Sequence, residues 1–177
     1  MRYIDKLNYS IPVVKNWIDD SLEFNSFRLW NSLIINRRKP HTYRVFAMLG
    51  DCRICLHRFE PCSEAEAFIH PHPWPAAFKI LGGSYRQWVG RSNSLQDAPD
   101  EVMDSVLHKD SMYEITDPLI WHSVEPLETS YTIMLNGPVW EVQHKETRTT
   151  KGKDLESMNE EDLRDHLKVF QTLLKDV

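Results

Sequence analysis

The chain has 177 residues, 41% of them hydrophobic and 11% aromatic, and a formal net charge of −5. That size supports one domain with its own core, and the negative balance argues against a nucleic-acid or anionic-membrane partner. No apolar run approaches the roughly 20 residues needed to span a bilayer. No secretory apolar region precedes the charges of Met-Arg-Tyr-Ile-Asp-Lys, and three cysteines without framework spacing fit a reducing compartment. A cytoplasmic globular protein is expected.

Residues 10–22 read as a helix: Ser10 is a capping residue, Pro12 suits a first turn, and Ile11, Val14, Trp17, Ile18 and Leu22 fall near helical spacing. A second helix is expected over 26–36, capped by Asn25 or Ser26, with Phe27, Trp30, Leu33 and Ile34 on its apolar face. Arg37, Arg38 and Lys39 suit its C-terminus and Pro40 stops it. Residues 1–40 thus form a helical segment packed on the main body.

Over 41–144 the texture is β-like. Short runs at 42–49, 52–60, 77–81, 84–90, 102–109, 111–116, 119–124, 129–136 and 138–143 are punctuated by Gly50-Asp51, Gly82-Gly83, Asp117-Pro118 and Gly137-Pro138. Strands this short and this evenly spaced indicate an all-β sandwich or barrel. Residues 145–177 read as a polar linker and a last helix from near Asn159, with Leu163, Leu167, Phe170 and Leu174 in one stripe. The stripe packs on the barrel or on a second copy of the chain in a homodimer.

The chemistry-bearing stretch is Ile69–Gly83. His70 and His72 are two apart, and in an extended segment such side chains leave the same face. Pro71, Pro73 and Pro75 stiffen the backbone and favour an extended approach over a helix. His122 lies in another β-like run about four strands later, so an antiparallel fold can bring three imidazoles onto one cation and leave positions open for substrate. The bland account is an exposed polyproline-like segment, His-Pro-His-Pro-Trp-Pro, that a partner reads.

His70-Pro71-His72, Gly83 and the downstream His122 resemble the two motifs of the cupin superfamily. The usual glutamate of the first motif falls on Ala76 or Ala77, which cannot coordinate, and the Pro-x-Gly and Asn around the second histidine are not reproduced. Three histidines without a carboxylate resemble the thiol dioxygenase branch, typified by cysteine dioxygenase. Ile-His-Pro-His, Phe-Lys-Ile-Leu-Gly-Gly and Trp-His-Ser-Val-Glu agree with it in texture. The family's cross-linked cysteine would stand near Ala76 or Ala77 and its tyrosine within Asn136 to Trp140, and neither is present. The resemblance implies a cupin-like antiparallel β-barrel (a double-stranded β-helix) with two N-terminal helices and a C-terminal helix. It further implies one divalent metal on His70, His72 and His122, with Fe(II) favoured and Zn or Ni as alternatives. The implied function is an Fe(II) dioxygenase of a small thiol or acid; the alternative is a non-catalytic or isomerase-like cupin that binds a small acid or sugar with Zn, Ni or no metal.

His57 and Arg58 share a run in which one side chain faces inward. Arg58 is the candidate for a substrate carboxylate, because a guanidinium binds one with two prongs, and a surface ion pair is its other reading. Trp74 and Trp121 flank ligand positions and are candidates for a pocket wall, Trp74 above all; Trp88 and Trp140 read as core. Cys52 and Cys55 have CxxC spacing, but within a strand residues three apart leave opposite faces, so buried thiols are expected rather than a zinc knuckle. His41, His108, His144 and His166 stand in polar surroundings and read as exposed. There is no phosphate-binding glycine loop, nucleophile elbow or dinucleotide fingerprint.

Overall fold

Successive strand side chains leave opposite faces of a sheet, and this chain uses that alternation to separate a helix-covered core from a second, more polar interior. The computed structural model describes residues 1–142, 155–175 and 177. The larger sheet has six antiparallel strands: β1 (Asn31–Ile35), β2 (Thr42–Leu49), β3 (Cys52–Phe59), β10 (Ser130–Asn136), β5 (Ala76–Gly82) and β8 (Met112–Ile115), in that spatial order. The smaller has four: β4 (His70–Pro71), β9 (Ile120–Pro126), β6 (Ser84–Arg91) and β7 (Met103–His108).

On one face of the six-stranded sheet Val45, Ala47, Ile54, Leu56, Ala77, Leu81, Ile133 and Leu135 pack with two helices into a single apolar cluster. Helix α1 (Tyr3–Glu23) contributes Leu7, Ile11, Val14 and Ile18, and α2 (Glu160–Leu173) contributes Leu163, Leu167 and Phe170. Asn159 caps α2 by accepting from the Asp162 N–H at 2.8 Å. Phe170 is fully buried, so Phe170→Ala would cost about 3–5 kcal/mol. The stripe expected on the last helix therefore packs on this chain's own sheet.

The other face of the sheet carries Arg44, Phe46, Arg53, Cys55, His57, Phe78, Tyr113, Met134 and Asn136, and it meets the four-stranded sheet. Phe59 lies edge-on to Tyr85 at 6.4 Å, and the Tyr85 hydroxyl donates to that of Tyr113 at 3.1 Å. Gly83 makes the tight β5–β6 turn at φ +73°, where a Cβ would stand 2.5 Å from the Thr129 carbonyl oxygen.

Four expectations change. The strands form two sheets, and among the described residues no ladder closes them into a barrel. One helix, not two, precedes the strands: Asn31–Ile35, expected within a helix, is β1. Leu33 and Ile34 have helical spacing to Trp30, but pairing with β2 and the bridge from Ile34 to Glu156 outweigh that weak local preference. Helix α1 starts at Tyr3, seven residues earlier than expected. Pro12 sits inside it and Ser10 turns back to the Lys6 carbonyl instead of capping. Finally, no strand forms over 138–142; the rest of that expected run, with His144, lies outside the described residues.

Candidate metal centre

The shortest strand carries the first ligand candidate. β4 pairs antiparallel with β9 so that His70 stands directly opposite His122, and Pro71 opposite Trp121. The prolines offer no N–H, so only their carbonyls need partners. The chain after β10 supplies some of these: Trp140 N–H donates to Pro73 at 2.8 Å and Gly137 N–H to Pro75 at 2.9 Å. The Trp140 indole N–H donates to the His72 carbonyl at 3.2 Å. Trp140, expected as core, is half-buried and braces this loop, while Trp88 is half-buried beneath the Arg86 guanidinium.

His70, His72 and His122 offer ligand atoms that all lie within 4.8 Å of one another. His72 Nε2 and His122 Nε2 are 2.7 Å apart. Two imidazole lone pairs at that separation repel unless a proton or a cation lies between them. Nitrogens bound at right angles to one ion would be about 3 Å apart, so His72 and His122 stand near the spacing one divalent cation needs, and the wider separation within the cluster, up to 4.8 Å, would close on binding. His70 Nδ1–H faces the Phe68 carbonyl at 3.3 Å, which leaves Nε2 to the centre. The Gln87 amide nitrogen stands 2.9 Å from His122 Nδ1; with the amide turned end for end, its oxygen would accept from Nδ1–H and leave His122 Nε2 to a cation. Burial lowers the His70 pKa to about 4, partly offset by its bond to Phe68. Burial, reinforced by the neighbouring His72 and His70, holds His122 well below the usual histidine value. Near neutral pH both are unprotonated, the state a metal requires. Ala76 and Ala77 are fully buried and bring no carboxylate to the cluster.

An aromatic wall surrounds these rings. Phe78 and Tyr113 stack at 4.5 Å, with His122 beside them at 5.9 and 6.2 Å, and Trp74 lies edge-on to His72 at 6.2 Å. Burial raises the Tyr113 pKa, so its hydroxyl is a neutral donor. Trp121 is buried on β9 next to His122. Pro71 and Pro75 are also buried, and the two imidazoles converge, so the proline-rich stretch is not an exposed peptide for a partner to read.

The inward residue of the His57-Arg58 pair is His57. Arg58 makes the ion pair instead, to Glu60, and covers the Tyr43 ring at 4.5 Å. On the inward face Arg44 Nε–H donates to His57 Nε2 at 2.7 Å, and its charge is near enough to His70 to depress the pKa there. Among the described residues no carboxylate is in ion-pair range of Arg44. Arg44 is not among the candidates that the sequence singles out. A two-residue Gly50-Asp51 turn between Leu49 and Cys52 sets Arg44 opposite His57, and that register was the signal that could have found it. Cys52 and Cys55 do point to opposite faces, the first into the helix-covered core and the second beneath the aromatic wall. His108 is exposed as expected, but His166 is buried, stacked on Phe170 at 4.9 Å with Nε2 against the Leu56 carbonyl.

No family model and no curated protein matches this chain. Among solved structures it is similar to hydroxypropylphosphonic acid epoxidase from S. wedmorenis, with 9% identity and a TM-score of 0.47 over 59% of this chain and 55% of that one. It is also similar to Fe(II)-HppE with the alternative substrate (S)-1-HPP, with 11% identity and a TM-score of 0.46 over 60% and 55%. A conserved protein of unknown function from Streptococcus pyogenes aligns at 10% identity and a TM-score of 0.42 over 58% and 79%. The alignment spans about half the length of the epoxidase chains. Similarity of this extent assigns neither residues nor activity. No helix among the described residues is long and apolar enough to cross a membrane.

Proposed function

We propose that this chain is a metal-dependent protein of cupin type, and specifically an Fe(II) dioxygenase of a small molecule that carries a thiol or an acid group. The observation that supports this most is the convergence of three imidazoles, two of them held unprotonated by burial, with no carboxylate among them. When bound, a divalent iron with three neutral ligands and adjacent open positions supplies full positive charge and dioxygen activation beside a coordinated substrate.

The protein's own residues supply the rest. His70, His72 and His122 present nitrogen donors, and Gln87 orients His122 from behind. Among the described residues Arg44 is held by His57 through Nε, with no further side-chain partner for its terminal amino groups, which we assign to a substrate carboxylate. We assign that role to Arg44 in place of Arg58. Trp74 and Phe78 wall the space and limit water, and the Tyr113 hydroxyl offers a neutral hydrogen bond at the edge of the cluster. A donor set of three imidazoles also suits Zn²⁺ with water in the fourth position, so a zinc-binding cupin is the second reading.

Oxygen uptake by the iron-loaded protein, measured across a panel of small thiols and thiol acids, tests the proposal. Substrate-dependent uptake that disappears in His122→Ala and falls in Arg44→Gln supports it. Uptake unchanged by His122→Ala contradicts it.

A further inference from the structure

The inward face of the six-stranded sheet holds a second cation that the reading above does not use. Arg53 stacks on Trp74 at 4.9 Å and on Phe46 at 5.3 Å, and its Nε–H donates to Asn136 Oδ1 at 3.3 Å. We propose that the site is built for a small organic acid with two separated anionic groups, one held by Arg44 beside the histidines and the other by Arg53 beside Trp74. The placement of that ligand at a metal rests on the proposed function; the two-anion specificity does not.

Charge comes first. Acidic residues outnumber basic ones in this chain, 26 to 21. Yet among the described residues no carboxylate is in ion-pair range of Arg44 or Arg53, while Arg58 and Arg91 elsewhere on the sheets each have one and Arg86 has two. Two guanidiniums on one inward face repel each other: burial first, and then the charge of Arg53, lowers the Arg44 pKa. Both side chains are half-buried; a cation partly withdrawn from water without a counter-charge carries a desolvation cost, and an anionic ligand would offset it.

Backbone spacing favours two single anionic groups over one doubly charged one. Along the β2–β3 ladder Arg44 stands opposite His57 and Met48 opposite Arg53, with the Phe46–Cys55 pair between them. Four residues of strand separate His57 from Arg53, about 13 Å of backbone, while Arg53 is still near enough to Arg44 to act on it electrostatically. Between them the half-buried Phe46 packs on the fully buried Cys55 and Met134, an apolar stretch that suits a short carbon chain. Trp74 Nε1–H, out of solvent and without an acceptor among the described residues, offers one more donor at the Arg53 end.

Calorimetric titration of the full chain with propionate, glutarate and methylphosphonate tests this, with metal content measured on the same samples. Glutarate should bind at least about tenfold more tightly than propionate. Arg53→Gln should remove that preference and leave propionate within about twofold of its original affinity, whereas Arg44→Gln should weaken both acids about fivefold or more. Arg53→Lys, which keeps the charge, should retain about a threefold preference, and circular dichroism should match the parent for each variant. Equal binding of propionate and glutarate, an equal loss of both in Arg53→Gln, or tighter binding of methylphosphonate than of glutarate would overturn the inference. One metal per chain without a glutarate preference overturns the two-anion site and leaves the metal reading intact. A glutarate preference in protein that takes up no metal supports the two-anion site and overturns the metal reading.

Discussion

Arg44 and His57 face each other across the β2–β3 hairpin, and the Arg44 Nε–H donates to His57 Nε2 at 2.7 Å. For His57 to accept there its proton must sit on Nδ1, which faces Thr132 Oγ1 at 3.4 Å. Burial, then the charges of Arg44 and Arg53, hold the His57 pKa well below the usual value, so the ring stays a neutral acceptor. His57→Leu leaves the guanidinium without its acceptor, and stability should fall by about 1–3 kcal/mol. His57→Gln, which keeps an acceptor, should recover part of that. Urea unfolding at neutral pH measures both.

Gln87 reaches His122 from the side away from the cluster. Gln87→Leu removes the partner that fixes the ring's tautomer and orientation. Metal affinity should fall about 10- to 100-fold, with thermal unfolding of the metal-free protein little changed. A chelator competition titration reads the first quantity and calorimetry the second. Unaltered affinity would show that packing alone orients His122.

His166 gives a pH dependence away from the cluster. Burial lowers its pKa from 6.5 to about 4, against the opposing effect of its bond to the Leu56 carbonyl. The unfolded chain therefore binds the proton more readily than the folded one, and stability falls as pH drops from about 6.5 to about 4. The difference corresponds to about 3 kcal/mol at most. His166→Phe, which keeps the ring against Phe170, should flatten the pH dependence of the urea midpoint in this window relative to the parent. An identical slope would mean that His166 is not protonated on unfolding there.

The strands and the convergence of His70, His72 and His122 were legible because both rest on alternation: residues two apart share a face, and Gly82-Gly83 and Gly50-Asp51 mark where the chain reverses. β1 was not legible. Its Leu33 and Ile34 fit a helical stripe with Trp30, and only pairing with Thr42–Leu49 and Glu156 makes the segment a strand. α1 was clipped because Pro12 reads as a helix start, although a proline inside a helix is tolerated when a long apolar face is packed. His166 looked exposed among charged neighbours; the turn of α2 that carries it faces the sheet together with Leu163, Leu167 and Phe170. Arg44 and Gln87 escaped notice because long polar side chains on strands usually face water, and nothing local shows that these two point inward.

Elemental analysis of protein purified without added metal tests the metal centre most directly. Close to one iron per chain is predicted for the parent, falling to near zero in His70→Ala, His72→Ala and His122→Ala while each variant stays folded. Folded parent protein that contains no metal, and takes none up from a stoichiometric Fe(II) solution under anaerobic conditions, would contradict it.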